Sequence, residues 1–292
     1  MDGILNINKP QGRTSFSIVA QVRRLSRERR VGHAGTLDPA ASGVLPVCLG
    51  QGTRVVEFLM DTTKAYRAEV MLGVTTDTYD ADGVVIRRQD PAGLGRERIE
   101  KELANFRGLA WQTPPMYSAL RYRGRRLYEL ARAGLEVKRQ RRPTEIERLE
   151  IVDFELPLVT LEVVCGKGTY IRSLAHELGQ ALGCGASLKS LVRLRCGVFD
   201  IADAVSMTRL EEAFHDGSGH EFLHPIDVVL KHWGAVEVSE AVGQDIRYGR
   251  PVTLTEDIDG SYCRAYCQDG SFLAVLGFKP EMGYWQPEKV FR

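Results

Sequence analysis

A chain of 292 residues, 43% hydrophobic and 26% charged, has an ordinary globular make-up and can bury one large domain with a smaller one beside it. No apolar run approaches the ~20 residues that span a bilayer, and Met1-Asp2-Gly3-Ile4-Leu5-Asn6-Ile7 lacks the regions of a signal peptide, so the expected location is the cytoplasm. The net charge of +1 hides an asymmetry: residues 1–200 carry 31 basic and 23 acidic side chains (+8), residues 201–292 carry 8 and 15 (−7), and the basic body points to a polyanionic partner.

Residues 3–8 alternate about Ile4 and Leu5 as a short strand, which ends at the turn Lys9-Pro10-Gln11-Gly12. Thr14 or Ser15 can cap a helix with Ile18, Val22 and Leu25 on one face and arginines on the other. The stretch Gly32-His33-Ala34-Gly35-Thr36-Leu37-Asp38-Pro39-Ala40-Ala41-Ser42-Gly43-Val44-Leu45-Pro46 has neither a helical nor a strand period and reads as a turning loop. It empties into an apolar strand at 44–49 and a short apolar helix within 50–60. Residues 64–74 alternate as a strand with Tyr66, Ala68, Val70 and Leu72 on one side. An acidic turn at 75–83 leads to a strand at 84–86, and 96–106 read as a helix through Ile99, Leu103 and Phe106. Residues 111–119 form an extended loop, followed by a basic segment with a short helix near 127–133.

Residues 144–155 and 158–165 pattern as a hairpin. Gly166-Lys167-Gly168-Thr169 then turns into an amphipathic helix with Ile171, Leu174, Ala175, Leu178 and Leu182 inward and Gly183 at its end. Arg172 lies in the first turn, off that face. By spacing it fits a surface arginine, although a cation beside free helical N–H groups can also receive an anion. Residues 216–233 read as a junction. A helix over 239–248 and short strands near Val252, 262–267, 272–278 and Val290 make a small β-rich, barrel-like tail. Hairpins rather than βαβ repeats predict an α+β fold with a mixed, largely antiparallel sheet flanked by helices.

The central loop presents one carboxylate, Asp38, and one imidazole, His33. Asp before Pro is a common turn starter, and alone it argues only for structure. Two basic clusters beside the loop change that balance: Arg23, Arg24, Arg27, Arg29 and Arg30 precede it, and residues 121–148 hold ten Arg or Lys against four Glu. Either alone fits a solvated face; together they favour nucleic acid. The six cysteines are scattered without metal spacing and read as reduced, buried thiols. No phosphate loop, zinc-protease helix, dinucleotide fingerprint or nucleophile elbow is present. Asp77, Asp80 and Asp82 are spaced like the start of a calcium loop but lack its closing Glu, and read as a solvated turn. The expected cofactor and metal content is none.

The loop resembles the signature of the TruB family, the bacterial tRNA pseudouridine synthases. Asn8-Lys9-Pro10-Gln11-Gly12, Thr14-Ser15, Lys64-Ala65-Tyr66-Arg67-Ala68, Pro114-Pro115-Met116-Tyr117-Ser118-Ala119-Leu120, Gly166-Lys167-Gly168-Thr169-Tyr170-Ile171-Arg172 and Leu182-Gly183-Cys184-Gly185-Ala186 resemble further family blocks, in family order across 3–196. Arg54 departs from a family pattern ending Ala-Thr-Lys, which touches at most a local contact. The resemblance implies a pseudouridine synthase fold over 1–232, with a basic thumb-like insertion at about 115–148, and a PUA-like RNA-binding domain over 233–292. It implies isomerisation of uridine 55 in the T-loop of tRNA, with Asp38 acting at the sugar as nucleophile or stabiliser and Arg172 keeping that carboxylate ionised and oriented. The uridine must be flipped from its stack. Tyr66 would stack on it and relay a proton, Leu191 would wall the pocket, and His33 would fill the vacated space or brace the loop by a hydrogen bond. Lys9 and Pro10 would pack beneath the loop, and Tyr170 would border the substrate. Arg123, Arg125, Arg126, Lys138 and Arg141 would meet RNA phosphates.

The expected partner is the tRNA T-arm, with no membrane and no obligatory protein partner, and the expected state is a monomer. Two alternatives remain: a non-catalytic RNA-binding or tRNA-folding protein, which would not need Asp38, and a pseudouridine synthase for another RNA.

Overall fold

The computed structural model describes residues 1–256 and 258–291. In chain order, the first half gives β1 (Gly3–Lys9), α1 (Ser15–Ser26), β2 (Val31–His33), β3 (Ser42–Leu49), α2 (Val56–Met60), β4 (Lys64–Leu72), β5 (Val74–Thr76), β6 (Val85–Arg88), α3 (Arg96–Ala104) and β7 (Gly108–Gln112). There follow β8 (Arg121–Tyr122), β9 (Arg125–Arg126), α4 (Leu127–Arg132), β10 (Arg142–Glu155), β11 (Leu158–Cys165), α5 (Ile171–Leu182) and β12 (Ala186–Cys196). Three short strands, β13 (Phe199–Asp200), β14 (Val205–Ser206) and β15 (Leu223–His224), surround α6 (Met207–Asp216). The chain closes with β16 (Gly234–Glu237), α7 (Glu240–Arg247), β17 (Tyr262–Tyr266), β18 (Phe272–Lys279) and β19 (Tyr284–Val290).

Eleven strands make one sheet with the path β14-β1-β3-β12-β4-β11-β10-β7, and β13, β15 and β2 pair at its sides. The pairings β1–β14 and β3–β12 are parallel and the remainder of the path is antiparallel, so the sheet is mixed and largely antiparallel, as the sequence predicts. The α+β architecture is therefore borne out. β12 lies at the centre, yet it meets β3 over only two residue pairs, Val192–Ser42 and Arg193–Gly43. The sheet thus has a seam, and the loop between β2 and β3 opens directly onto it. Gly43 is required there: its φ is +102°, and a Cβ would sit 2.2 Å from the Arg193 carbonyl oxygen.

Helix α1 packs Ile18, Val19 and Val22 over β1 and β3, with Leu5, Ile7, Leu45 and Val47 beneath it. Helix α5 packs Ile171, Leu174, Ala175 and Leu178 over the other half, against Ala68, Val70, Leu161 and Val163. Gly179 lets α5 approach β12 closely, since a Cβ would lie 2.0 Å from the Ala186 nitrogen. Tyr66 and Leu191 pack against both cores, which places them at the seam.

Several local expectations are revised. Residues 186–196, interrupted by Lys189, Arg193 and Arg195, lack a clear strand pattern, yet they form the central strand β12. The extended reading of 111–119 holds only after Gln112, because 108–112 pair with β10 as an edge strand. The tail forms an open four-stranded sheet, β16-β17-β18-β19, with α7 beside it, and among the described residues its strands do not close into a barrel. It has a core of its own around Ile246, Cys263, Leu273 and Trp285. It also docks on the larger sheet: Trp233 stacks on Tyr262 at 4.9 Å and meets Phe58 edge-on at 4.9 Å, and Lys289 pairs with Glu57 at 2.7 Å. Arg54 donates to the Val290 carbonyl, so its one departure from the family pattern faces this junction. Among the described residues no helix is long and apolar enough to cross a membrane.

Candidate active site

Asp38 sits in the loop between β2 and β3, and both flanks of that loop are tied down. The Ser15 hydroxyl accepts the Leu37 N–H at 2.9 Å and donates to the Leu37 carbonyl at 3.1 Å. Thr14, not Ser15, is therefore the N-cap of α1, accepting the Ser17 N–H. On the other flank the fully buried Lys9 ammonium donates to the carbonyls of Pro10 (3.0 Å), Arg13 (2.7 Å) and Pro39 (3.4 Å). The Gly12 N–H adds a bond to the Pro39 carbonyl at 2.8 Å. Burial lowers the Lys9 pKa to about 8, against the Asp38 charge, which works the other way. Lys9 thus lies under the loop, whereas Pro10 is exposed and only its carbonyl meets the Lys9 ammonium.

Arg172 is buried, with 6% of its side chain exposed, rather than the surface arginine its spacing fits. The first turn of α5 aims it into the seam, where it finds acceptors on three segments. Its Nε lies 2.9 Å from Asp38 Oδ2 and its Nη1 3.4 Å from Asp80 Oδ2. It also donates to the carbonyls of Thr78 (3.4 Å) and Tyr117 (2.8 Å). This burial satisfies a guanidinium because it meets two carboxylates and two carbonyls. The carboxylate is the opposite: the Asp38 side chain is 42% exposed and open to solvent on one side. Among the described residues Asp38 Oδ1 has no hydrogen-bond partner. A fixed cation behind a half-open carboxylate leaves one oxygen free for a substrate atom.

Asp80 corrects the reading of 75–83 as a solvated turn. Its side chain is 13% exposed, it accepts from the Thr78 hydroxyl and the Asp82 N–H, and it braces Arg172 from the side away from Asp38. Burial raises its pKa, while Thr78 and Arg172 pull the other way. Arg193, 1% exposed, is a second residue the sequence reading missed. It donates to Val44 (2.6 Å) and Gly35 (3.0 Å) and so ties the two ends of the loop to β12. One signal for Asp80 was a third acid in a short turn. Arg193 offers none, because one arginine in an alternating strand normally points to water.

Tyr66 on β4 lies opposite Arg193 in register, and Leu191 opposite Ala68. Both pack against the cluster holding Leu37 and Ala41, which flank Asp38 within the loop. Burial pushes the Tyr66 phenol to about 12 even though Arg193 pulls it down. At neutral pH it is an uncharged ring, suited to stacking and a weak proton acceptor. Tyr170 caps α5, its backbone N–H and carbonyl both held by the Gln112 amide at 2.7 and 2.9 Å. Burial raises its phenol pKa, and the Asp38 charge acts in the same direction. Arg172 thus pairs with Asp38, Lys9 lies beneath the loop that carries it, the Tyr170 phenol feels its charge, and Tyr66 and Leu191 pack where the two cores meet at the seam.

His33 stands apart from that group. It ends β2, its buried Nδ1 has no partner, and no contact joins it to Asp38 or Arg172 among the described residues. Burial lowers its pKa, with Arg193 adding to the effect, and burial does the same to His176 on α5. The unfolded chain then binds protons at these sites more readily than the fold does. Stability is expected to fall as pH drops through 6.5 and below, the ordinary value for His. Urea midpoints at pH 7 and pH 5 check this: the loss should shrink in a His33→Asn, His176→Phe double variant, and equal losses would count against it.

The basic segment has its own small core of Met116, Leu127 and Leu130. Arg123, Arg125 and Arg126 are exposed on the β8–β9 hairpin, where Arg123 takes a φ of +49° at the turn. Lys138 is exposed, and Arg141 donates to the Trp111 carbonyl at the root of the segment. Among the described residues none of these five cations has a carboxylate partner within 4.0 Å, as expected of charges kept for an external anion.

Comparison with known proteins shows the family of the chain. The sequence model described as TruB family pseudouridylate synthase (N terminal domain) matches residues 23–171, and that described as tRNA pseudouridylate synthase B C-terminal domain matches 172–231. A tRNA pseudouridine synthase B of Dehalococcoides mccartyi (strain CBDB1) is 46% identical over 292 residues, covering 100% of this chain and 97% of the relative. One of Clostridium kluyveri is 42% identical over 279 residues, covering 94% and 95%. The crystal structure of a Cbf5-Nop10-Gar1 complex holds a chain similar in fold, with a TM-score of 0.78, 26% identity and coverage of 99% of this chain and 85% of that one. With the family sequence models tiling residues 23–231 and relatives alike from end to end, the chain belongs to the TruB family of pseudouridylate synthases.

Proposed function

We propose that the chain converts uridine 55 in the T-loop of tRNA to pseudouridine, with Asp38 as the catalytic carboxylate. In this isomerisation the N1–C1′ bond breaks, the uracil turns, a C5–C1′ bond forms, C5 gives up a proton and N1 gains one. No oxidant, reductant or second substrate enters the balance. The observation that carries the reading is Asp38 itself: a half-open carboxylate with one oxygen fixed by a buried guanidinium and the other free. Bond cleavage builds positive charge at C1′, which that free oxygen can stabilise or attack. The target uridine reaches it only when flipped out of its stack. Tyr66 then lies against the uracil, Leu191 walls the pocket, Tyr170 borders it, and His33 fills the space left in the RNA.

The rest of the chain serves the RNA. The thumb-like segment at about 115–148 closes on the T-arm through Arg123, Arg125, Arg126, Lys138 and Arg141. Residues 1–232 form the catalytic domain and 233–292 a PUA-like RNA-binding domain, a division supported by the separate core of the second sheet. The protein works as a monomer in the cytoplasm without an obligatory protein partner. A T-arm stem-loop carrying tritium at uridine C5, incubated with the protein and no cofactor, should release tritium to water. RNA binding with no release would leave an RNA-binding protein or an enzyme for another RNA. For the thumb, replacing Lys138 or Arg125 by Ala should weaken T-arm binding and lower the slope of log K against log salt by about one each. An unchanged slope would take that residue off the phosphates.

A further inference from the structure

Of the three tryptophans in the chain, two are packed against other rings: Trp233 on Phe58 and Tyr262, and Trp285, 6% exposed, on Phe278. Trp111 is 59% exposed and makes no ring contact among the described residues. It lies on β7, the last strand of the sheet path, next to Leu109, which is 84% exposed. An apolar, unpaired strand edge is a liability unless something covers it. Trp111 also lines a cleft of about 250 Å³, open to solvent, whose far wall is Leu174 and Glu177 of α5.

Three features say what the cleft takes. Its rim is cationic: Arg141 lines it and donates to the Trp111 carbonyl, and the exposed Arg142 pairs in register with Gln112. Its far wall carries the Glu177 carboxylate, half-buried and bound to the Thr113 N–H at 3.3 Å, which repels a phosphate but can accept an N–H from the edge of a base. Its wall is continuous with the candidate active site, because Gln112 grips the backbone of Tyr170. A planar group that is neutral, carries N–H donors and comes attached to phosphates is an unpaired nucleobase. We infer that the Trp111 cleft is a second base-binding site, in which an unpaired base of the RNA substrate stacks on Trp111 while its phosphate meets Arg141.

This site rests on the RNA-substrate reading above and adds a contact outside the Asp38 pocket. Stacking on an aromatic side chain contributes binding without chemistry, so Trp111→Leu should raise KM for the T-arm stem-loop about tenfold and leave kcat within about twofold. Trp111→Phe should restore most of the loss. With 2-aminopurine placed in turn at each unpaired position of the stem-loop, one position should lose emission on binding wild type and keep it with Trp111→Leu. The variant is at an exposed side chain, and unchanged thermal unfolding confirms that it folds. Unchanged KM with no position-specific quenching would overturn the site. So would sedimentation showing that the wild type dimerises, that Trp111→Leu is monomeric and that RNA affinity is the same, which would make β7 a self-association edge. Wild-type tritium release in the same samples separates the two claims: release without any dependence on Trp111 overturns only the second site, and no release overturns the substrate assignment.

Discussion

Asp38→Asn is expected to lower tritium release from the T-arm stem-loop by at least about 10⁴-fold, the loss typical of removing a nucleophilic or charge-stabilising carboxylate. The change is isosteric, and the Asp38 side chain is 42% exposed, so the fold has little to lose. The ion pair with Arg172 is open on the carboxylate side, and its loss should shift stability by no more than about 1 kcal/mol. RNA affinity should stay within about threefold, because the thumb cations and the seam are untouched. Turnover and filter binding, measured on one preparation, check this. Residual turnover within a hundredfold of wild type would remove Asp38 from the chemistry.

Arg172→Leu is the second large effect, and it acts on stability as well as turnover. The variant strands the Asp80 carboxylate, 13% exposed, without its cation. Removing one partner of a buried pair costs about 3 kcal/mol, which for a chain of this size lowers Tm by roughly 6–10 °C. Turnover should fall about 10³-fold, since Asp38 loses the group that fixes its Oδ2. Arg172→Lys should recover little of either. A single ammonium cannot meet two carboxylates and the carbonyls of Thr78 and Tyr117 at the angles a planar guanidinium allows. Adding Asp80→Leu to Arg172→Leu should return part of the stability and none of the activity. If it restored turnover, the role of Arg172 in orienting Asp38 would be wrong.

Much of the site was legible along the chain. The loop around Asp38 announced itself by glycines, prolines and a single acid, and the structure places that acid on the sheet seam. A cap at Thr14 or Ser15, the amphipathic pattern of α5 and the alternation of β4 are legible from short-range sequence, and the structure forms the helix with Thr14 as its cap, α5 and β4. Such features depend on neighbours within four residues, so local sequence suffices to specify them. The exposed cations of 121–126 are legible for a related reason: charge clustered along the chain stays clustered on a hairpin whose ends lie close together.

What escaped was everything decided by partners distant in sequence. β12 is the central strand, but its residues Lys189, Arg193 and Arg195 give it a polar pattern, and only pairing with β4 and β3 makes it a strand. Arg193 is buried because the loop of residues 35–44 supplies carbonyls to it across the seam. Asp80 leaves solvent because α5 delivers a guanidinium from a position 92 residues away. The tail had the strands of a barrel but not its closure, since closure depends on strand register rather than on the strands themselves. Sequence by itself determined the chemical parts: the carboxylate, the basic surface and the α+β pattern that carries them. The tertiary structure decided which charges are buried, because desolvating a charge is tolerable only where a partner from elsewhere in the chain is already in place.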